Sequence, residues 1–449
     1  RTNKPTPHPL FDKLCYIAGD YAEYIVEDDK KVDYTEYYNL YISSLKEWAY
    51  SPYSHKKIIA IYHYLSKKKV IKDLVGAKVL QLDKQGKLKK GVKKIQGIEQ
   101  VDAFVRFIVR SFDLEPTTEK VWEDEEVVNC YIDYYTSMKM KEEMEKDLCY
   151  VLGSEDFITT KHPKKIRHSG DQGKIISAND NEGFTFLGRF KNSHQANSVS
   201  FIASQKAHNA LRWLIQKQGY RNQDQVIVAW AIDDSEIPDI TKDSYDLFPG
   251  FMEGWIDTGE GFAKRLKKAL KGYRENLTTN QKVVVMALDS ATQGRLSIIF
   301  YREINGSDFL ERVEKWQKDT SWHHIKYDGR SIQFTGSPSL REIAKAAFVA
   351  KGGQASKSDE KIIKSTVERL YLCIVDGSRV PLDIVRALVN MVTYQPKNEG
   401  NWGQKLSIAC SIIKKHRKDR YKEEWDVSLD KSCDDRNYLF GRLLAIADW

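Results

Sequence analysis

Ser204 and His208 stand one helical turn apart, the spacing at which an imidazole takes a proton from a hydroxyl. They are the nearest this sequence comes to a nucleophile with its base. No GxSxG elbow holds the serine, so hydrolysis is the weaker reading of the pair. His323 and His324 are adjacent, and adjacent side chains project differently in any regular structure. With no HExxH or CxxC beside them, they read as structural or surface residues rather than metal ligands. SerGlyAspGlnGlyLys (169–174) resembles a phosphate loop only in part, because Ile175 follows Lys174 where Ser or Thr is required and Gly170 and Gly173 are too close. Asp289 ends a strand-like run without the second carboxylate of a two-metal nuclease, and reads as a turn residue. The expectation is a chain that is not an enzyme and holds no metal or cofactor.

The chemistry this pattern does support is contact with a polyanion. Between Lys56 and Lys94 thirteen lysines face only Asp73 and Asp83, a local charge of +11 against +8 for the whole chain, so the remainder is net acidic. Such a cluster attracts phosphates and makes binding salt-dependent, unless its lysines merely solvate a face. Lys67, Lys68, Lys69, Lys89 and Lys90 are the candidate phosphate contacts there. A second basic stretch runs from Lys161 to Lys174, broken by Pro163, Gly170 and Gly173, and offers Lys164, Lys165, Arg167 and Lys174 from an exposed loop. Beyond it, Asn192, Gln195 and Asn197 carry polar groups that suit base edges or a simple turn. At 100° per residue the next helix places Ala203, Ala207, Ala210, Leu211 and Leu214 on one face and Gln205, His208, Asn209, Arg212 and Gln216 on the other. Side chains of that kind make directional hydrogen bonds to bases and phosphates, or pack against protein.

A scaffold of α+β class, divided into several domains, accounts for the periodicities. Residues 1–150 read as a basic, mixed N-terminal region, with a helix carrying Tyr38, Tyr41, Leu45 and Trp48 after an N-cap at Thr35. A second helix follows over Lys56–Val70, then a hairpin or mobile loop over Gln81–Lys94, a strand-like Phe104–Val109 and a helix over Val127–Tyr135. Residues 151–350 form a central antiparallel or mixed sheet with helices. Its strands are expected at Phe184–Phe190, Val226–Ile232, Val283–Leu288 and Leu296–Tyr301, with a turn at Asp289–Arg295. A polar linker, Lys351–Ser358, leads to a helical region, 351–449, with helices over Ile362–Cys373, Ile384–Val392, Leu406–Ile413 and Tyr438–Ala447. Six scattered cysteines and no long apolar run fit a reducing, cytoplasmic setting away from membranes. The start at Arg1 and the end at Trp449, inside an apolar helical pattern, read as a chain incomplete at both ends.

HisProLysLysIleArgHisSerGlyAsp (162–171), GlyPheThrPheLeuGlyArgPhe (183–190) and AlaSerGlnLysAlaHisAsnAlaLeuArgTrpLeuIle (203–215) resemble the large subunit of the type I-C CRISPR surveillance complex, Cascade. So do AspSerAlaThr with GlyArgLeu (289–296), AsnGlySerAspPheLeuGluArg (305–312), CysIleValAspGly (373–377), LeuSerIleAlaCys (406–410) and TyrLeuPheGlyArgLeuLeuAla (438–445). The resemblance covers most of the chain from residue 150 onward. It implies a non-catalytic subunit that engages the protospacer-adjacent motif on double-stranded target DNA, helps part the strands and supports the displaced one. The implied partners are the crRNA-bound backbone subunits, the crRNA-end subunits, a small subunit and a helicase-nuclease. A nucleic-acid enzyme and a pure assembly subunit remain the alternative readings.

Overall fold

The computed structural model describes residues 5–25, 32–95, 97–110, 119–140, 144–177, 188–250, 254, 259–277, 281–292, 294–349, 356–393, 402–425 and 429–447. The fold is a multidomain α+β one with two compact units, Arg1–Thr159 and Thr160–Trp449. No helix of the described residues is long and apolar enough to cross a membrane, and the six cysteines are free thiols.

In the first unit, α1 (Tyr34–Ala49) buries the expected stripe of Tyr38, Tyr41, Leu45 and Trp48. Its cap is Asp33 rather than Thr35, because the aspartate carboxylate accepts the Thr35 and Glu36 amides at 2.9 and 3.3 Å. The second helix, α2 (Lys56–Leu65), stops short of Val70 because Lys68 takes a left-handed φ of 51°. A separate short helix, α3 (Val70–Gly76), follows, with Asp20 accepting from Ile71 N and Lys72 N at 3.1 and 3.0 Å. Of the expected Phe104–Val109 strand, Phe104–Val105 (β2) pairs antiparallel to Asp12–Lys13 (β1), and Ile108 forms a single antiparallel bridge with Lys120. The fourth helix, α4 (Glu125–Tyr134), starts at Asp124, whose carboxylate caps it and also meets the buried Lys57 ammonium of α2. That ion pair ties two elements far apart in sequence inside one core.

The second unit is organised by strand alternation. Tyr220–Asn222 (β3), Gln225–Ala231 (β4), Lys282–Thr292 (β5) and Arg295–Asn305 (β6) form an antiparallel sheet in the order β6-β5-β4-β3. Ile227, Ala231, Val283, Val285 and Ala287 point to one face, while Val226, Val228 and Leu288 point to the other. The first face packs on a large core shared with α7 (Gly306–Asp319), α8 (Leu340–Phe348), α9 (Lys357–Val375), α10 (Leu382–Thr393) and α11 (Trp402–Tyr421). The second face packs on α5 (Phe201–Gln218) and on Ile166 of the basic stretch. A hairpin of β7 (Trp322–Asp328) and β8 (Arg330–Gly336) and the basic helix α6 (Gly259–Ala269) complete the unit, and α12 (Arg436–Ala447) buries no residue.

Three of the helices expected beyond residue 351, those that fall in α9, α10 and α11, thus share the core of the central sheet, whereas the one that falls in α12 does not. Three expected strands fall in β4, β5 and β6, but the turn between the last two is shorter than Asp289–Arg295, since pairing runs out to Thr292 and Arg295. Most of the Phe184–Phe190 strand and the first five residues of the Lys351–Ser358 linker lie outside the described residues. Where description resumes, Ser356 caps α9 in a reciprocal box with Asp359.

Removing one partner of the Lys57–Asp124 pair leaves a charge buried without compensation, which costs about 3–5 kcal/mol. Lys57→Met alone is expected to destabilise the chain by that order in urea denaturation. Lys57→Met combined with Asp124→Asn, which keeps an oxygen at the cap, is expected to recover a large part of the loss.

Candidate nucleic-acid interface

The basic stretch 161–174 is a built loop. Asp171, almost fully buried, accepts from Arg167 Nε at 2.9 Å and Arg167 Nη2 at 3.0 Å, and from the amides of Arg167 and Gly173 at 3.3 and 3.0 Å. Arg167 Nη1 donates to the Asp224 carbonyl. Within the run that partly resembles a phosphate loop, the Gly173 amide is therefore taken by an internal carboxylate and the Lys174 amide by the Gly294 carbonyl. Hydrogen bonding from Arg167 holds the Asp171 carboxyl below the usual range although burial opposes it. Gly173 is required by space, because a Cβ there would lie 2.8 Å from Leu296 Cγ.

Arg167 is consequently a correction to the sequence reading: its guanidinium, on a residue only 6% exposed, is committed to Asp171 and Asp224 and has no face for a phosphate. Arg212 of α5 donates through Nη2 to the Lys164 carbonyl at 2.9 Å and through Nε to the Lys165 carbonyl at 3.0 Å. Its Nη1 meets Asn209 Oδ1 at 3.2 Å. Both residues brace the loop from behind. Lys165 takes a left-handed φ of 61°, and the side chains of Lys164 and Lys165 are exposed. Lys174 is stitched to the sheet by bonds of 3.0 Å to Gly294 O and 2.9 Å from Leu296 N, beside Arg295, a cation that the sequence reading does not single out. Partial burial and then the charge of Lys164 lower the Lys174 pKa.

Behind the loop lies a buried polar network. Asn197 Nδ2 donates to His162 Nε2 at 3.0 Å, which leaves His162 Nδ1 to donate to Ser204 Oγ at 2.9 Å. His208 Nδ1 sits 2.7 Å from the Ser204 carbonyl, an acceptor only, so the ring nitrogen facing the serine carries a proton. It cannot serve Ser204, which is 2% exposed, as a base. Burial, and next His208, push the His162 pKa down to about 4. The network also rotates α5 from its expected orientation: Ser204, His208 and Ile215 face inward, while Ala207 and Ala210 are exposed. Hydrogen bonds among Asn197, His162 and Ser204 displace the alanines from the buried face, and His208 leaves the outward face although its buried Nε2 meets no partner among the described residues.

Of the remaining candidates, Asn192 and Gln195 hold their own turn, with Asn192 Oδ1 accepting from Gln195 N at 2.9 Å and Gln195 Oε1 from Lys191 N at 3.1 Å. Asn197 belongs to the histidine network, and Gln205 is partly exposed on α5. In the first unit Lys67, Lys68, Lys69, Lys89 and Lys90 are all exposed, with the Lys68 ammonium 5.5 Å from the Tyr38 ring centre. The lysines at 89 and 90 end a tight turn rather than a loose loop. The buried Gln100 amide donates to Gln81 O and Lys89 O at 2.8 and 2.9 Å, and Gly86 supplies the φ of 76°. One short segment borders both lysine features: Asp20 caps α3, and the Tyr24 carbonyl accepts from Leu88 N at 2.7 Å.

The residues of the incomplete metal and nuclease patterns have structural partners. His323 Nδ1 lies 2.9 Å from Thr335 Oγ1, and His324 Nδ1 lies 2.9 Å from Ser407 Oγ. Asp289 is not a turn residue; it lies within β5 and pairs with Lys364 at 2.8 Å. Among the described residues no group of three or more His, Cys, Asp and Glu side chains is arranged to hold a metal ion.

Comparison with known proteins gives one family. The model of the family described as CRISPR-associated protein (Cas_Csd1) matches residues 1–449. No curated protein matches the chain.

Two outcomes follow from this geometry. Arg167→Ala strands the Asp171 carboxylate and is expected to cost about 3–5 kcal/mol, whereas Lys164→Ala with Lys165→Ala is expected to shift stability by less than about 1 kcal/mol; urea denaturation of each variant separates them. His162 has an ordinary pKa of 6.5 when unfolded and about 4 when folded, so the unfolded chain takes up the proton first. Its contribution is fully present above pH 6.5 and is lost as pH falls toward 4. Stability measured across that window is expected to fall less steeply in His162→Gln.

Proposed function

The chain belongs to the Cas_Csd1 family of CRISPR-associated proteins, the large subunit of type I-C Cascade, and from that premise we propose that it is the non-catalytic subunit through which the complex grips target DNA. In this reading Lys164, Lys165 and Lys174 hold phosphates of the duplex near the protospacer-adjacent motif, and Lys67, Lys68, Lys69, Lys89 and Lys90 add backbone contacts from the first unit. The observation that carries it is the braced loop. Arg212 holds the Lys164 and Lys165 carbonyls and Asp171 holds Arg167, which leaves the ammonium groups of Lys164 and Lys165 exposed on a fixed backbone. A preformed cationic edge of this kind binds a backbone without first ordering itself.

Recognition of the motif falls in this reading to Gln205 and to the amide nitrogen of Asn209, which stand on α5 beside the loop. Guide pairing reads the rest of the target, and the helicase-nuclease recruited to the complex performs the cleavage. The crRNA-bound backbone, the crRNA-end subunits and the small subunit are the neighbours this role requires.

A second reading is favoured by the internal use of Asn192, Gln195, Asn197 and Arg212: the subunit touches DNA through its lysines alone and leaves motif discrimination to its neighbours. The reconstituted complex, titrated with duplexes that carry or lack the correct motif, distinguishes the two. Lys164→Ala, Lys165→Ala and Lys174→Ala together are expected to weaken every duplex similarly and to reduce the salt slope by roughly one for each phosphate that is no longer neutralised. Unchanged affinity and slope would contradict DNA binding by the loop. Gln205→Ala with Asn209→Ala is expected to narrow the gap between correct and incorrect motifs; a gap of undiminished size selects the second reading.

A further inference from the structure

The outward face of α5 carries Lys206, Asn209, Ala210, Trp213, Gln216 and Lys217, at the i, i+3, i+4, i+7 spacing of one helical stripe. Trp213 sits in its middle and is 48% exposed. The helix does not need this ring for its seat on the sheet, because Leu211, Leu214 and Ile215 make that contact. Half an indole left in water is costly apolar surface unless something covers it. Ala207 and Ala210, both exposed, place no bulk on the preceding turn, and the Lys217 ammonium lies 4.5 Å from the ring centre while pairing with Asp234 at 3.0 Å. The next residue back is Arg212, which holds the carbonyls of Lys164 and Lys165. Asn209, one turn before Trp213 on the same stripe, meets the Arg212 guanidinium at 3.2 Å, so the aromatic surface and the braced loop share a neighbour on the helix.

We infer that Trp213 is a stacking platform for an unpaired base of a nucleic-acid strand whose phosphates lie along the Lys164–Lys165 loop. The inference rests on the nucleic-acid reading above and adds to it a contact specific for single strands. A base of any identity stacks on an indole, and such a contact is worth about 1–3 kcal/mol, or roughly 5- to 150-fold in affinity. Lys217 is already neutralised by Asp234, so removal of the ring changes affinity without changing the number of counterions released.

The test uses the assembled complex and three probes of equal length: a single-stranded oligonucleotide, the same oligonucleotide with abasic sites throughout, and a fully paired duplex lacking the motif. Trp213→Ala is expected to weaken the single strand by roughly 5-fold or more, with an unchanged salt slope. It is expected to leave the abasic strand and the duplex as in wild type, and Trp213→Phe is expected to retain most of the affinity. If wild type binds the single strand and Trp213→Ala binds it equally well, the platform is wrong while the nucleic-acid reading stands. Equal losses on the abasic strand also overturn it, as does a complex that loses a protein subunit on substitution, which would make the ring a protein contact. If wild type binds none of the probes and no motif-bearing duplex, the nucleic-acid reading itself fails.

Discussion

Arg167 and Asp171 are four residues apart in a loop that contains two glycines and three exposed cations, and their buried ion pair gives that loop a single shape. The carboxylate takes both guanidinium donors and two backbone amides, so the segment turns back on itself around one acceptor. Everything proposed for the interface depends on this arrangement. With Arg167 turned inward, Lys164 and Lys165 are left outside, and Ile166 between them and the ion pair enters the core under α5. Arg212 completes the support from the helix side. A buried pair of this kind adds little net stability over an apolar alternative, but it is costly to break singly, and it selects one loop conformation over many.

The sheet transmits the same constraint to the rest of the second unit. Alternation along β4 and β5 sends one set of aliphatic side chains to the large helical core and the other to α5 and the loop. The interface is therefore mounted on the back of a strand pair whose front packs on the helical core, α6 included. Such a mounting suits a binding surface that must keep its geometry when a long polyanion pulls on it. The lysine turns of the first unit follow a similar logic on a smaller scale, with Gln100 fixing the turn before residues 89 and 90 and Asp20 capping the helix after residue 69. In both units polar side chains spent internally set the directions of cations spent externally.

Much of this is legible in the residues alone. Alternating β-branched runs locate β4, β5 and β6, and the aromatic spacing of α1 locates its buried face, because both signals come from one element's own periodicity. Basic segments are legible as segments. What the sequence does not show is which cation of a segment is consumed within it: Arg167 and Lys165 are equivalent as charges, and only the fourfold use of Asp171 separates them. The rotation of α5 escapes for a related reason. Hydrophobic patterning assigns His208 outward and leaves Ser204 on neither face, and both turn inward where His162 and Asn197, distant in sequence, join the network. Trp213 is apolar by type, whereas its exposure follows from that same rotation.

In this reading the loop is a preformed cationic edge whose arginine stays at home. A high-resolution structure of the assembled complex on a motif-bearing duplex addresses it most directly. The ammonium groups of Lys164 and Lys165 are expected roughly 2.7–2.9 Å from phosphate oxygens, with Arg167 still paired to Asp171 and Arg212 still on the loop carbonyls. Arg167 released from Asp171 to meet a phosphate, or the loop facing protein with no nucleic acid in reach, would contradict it.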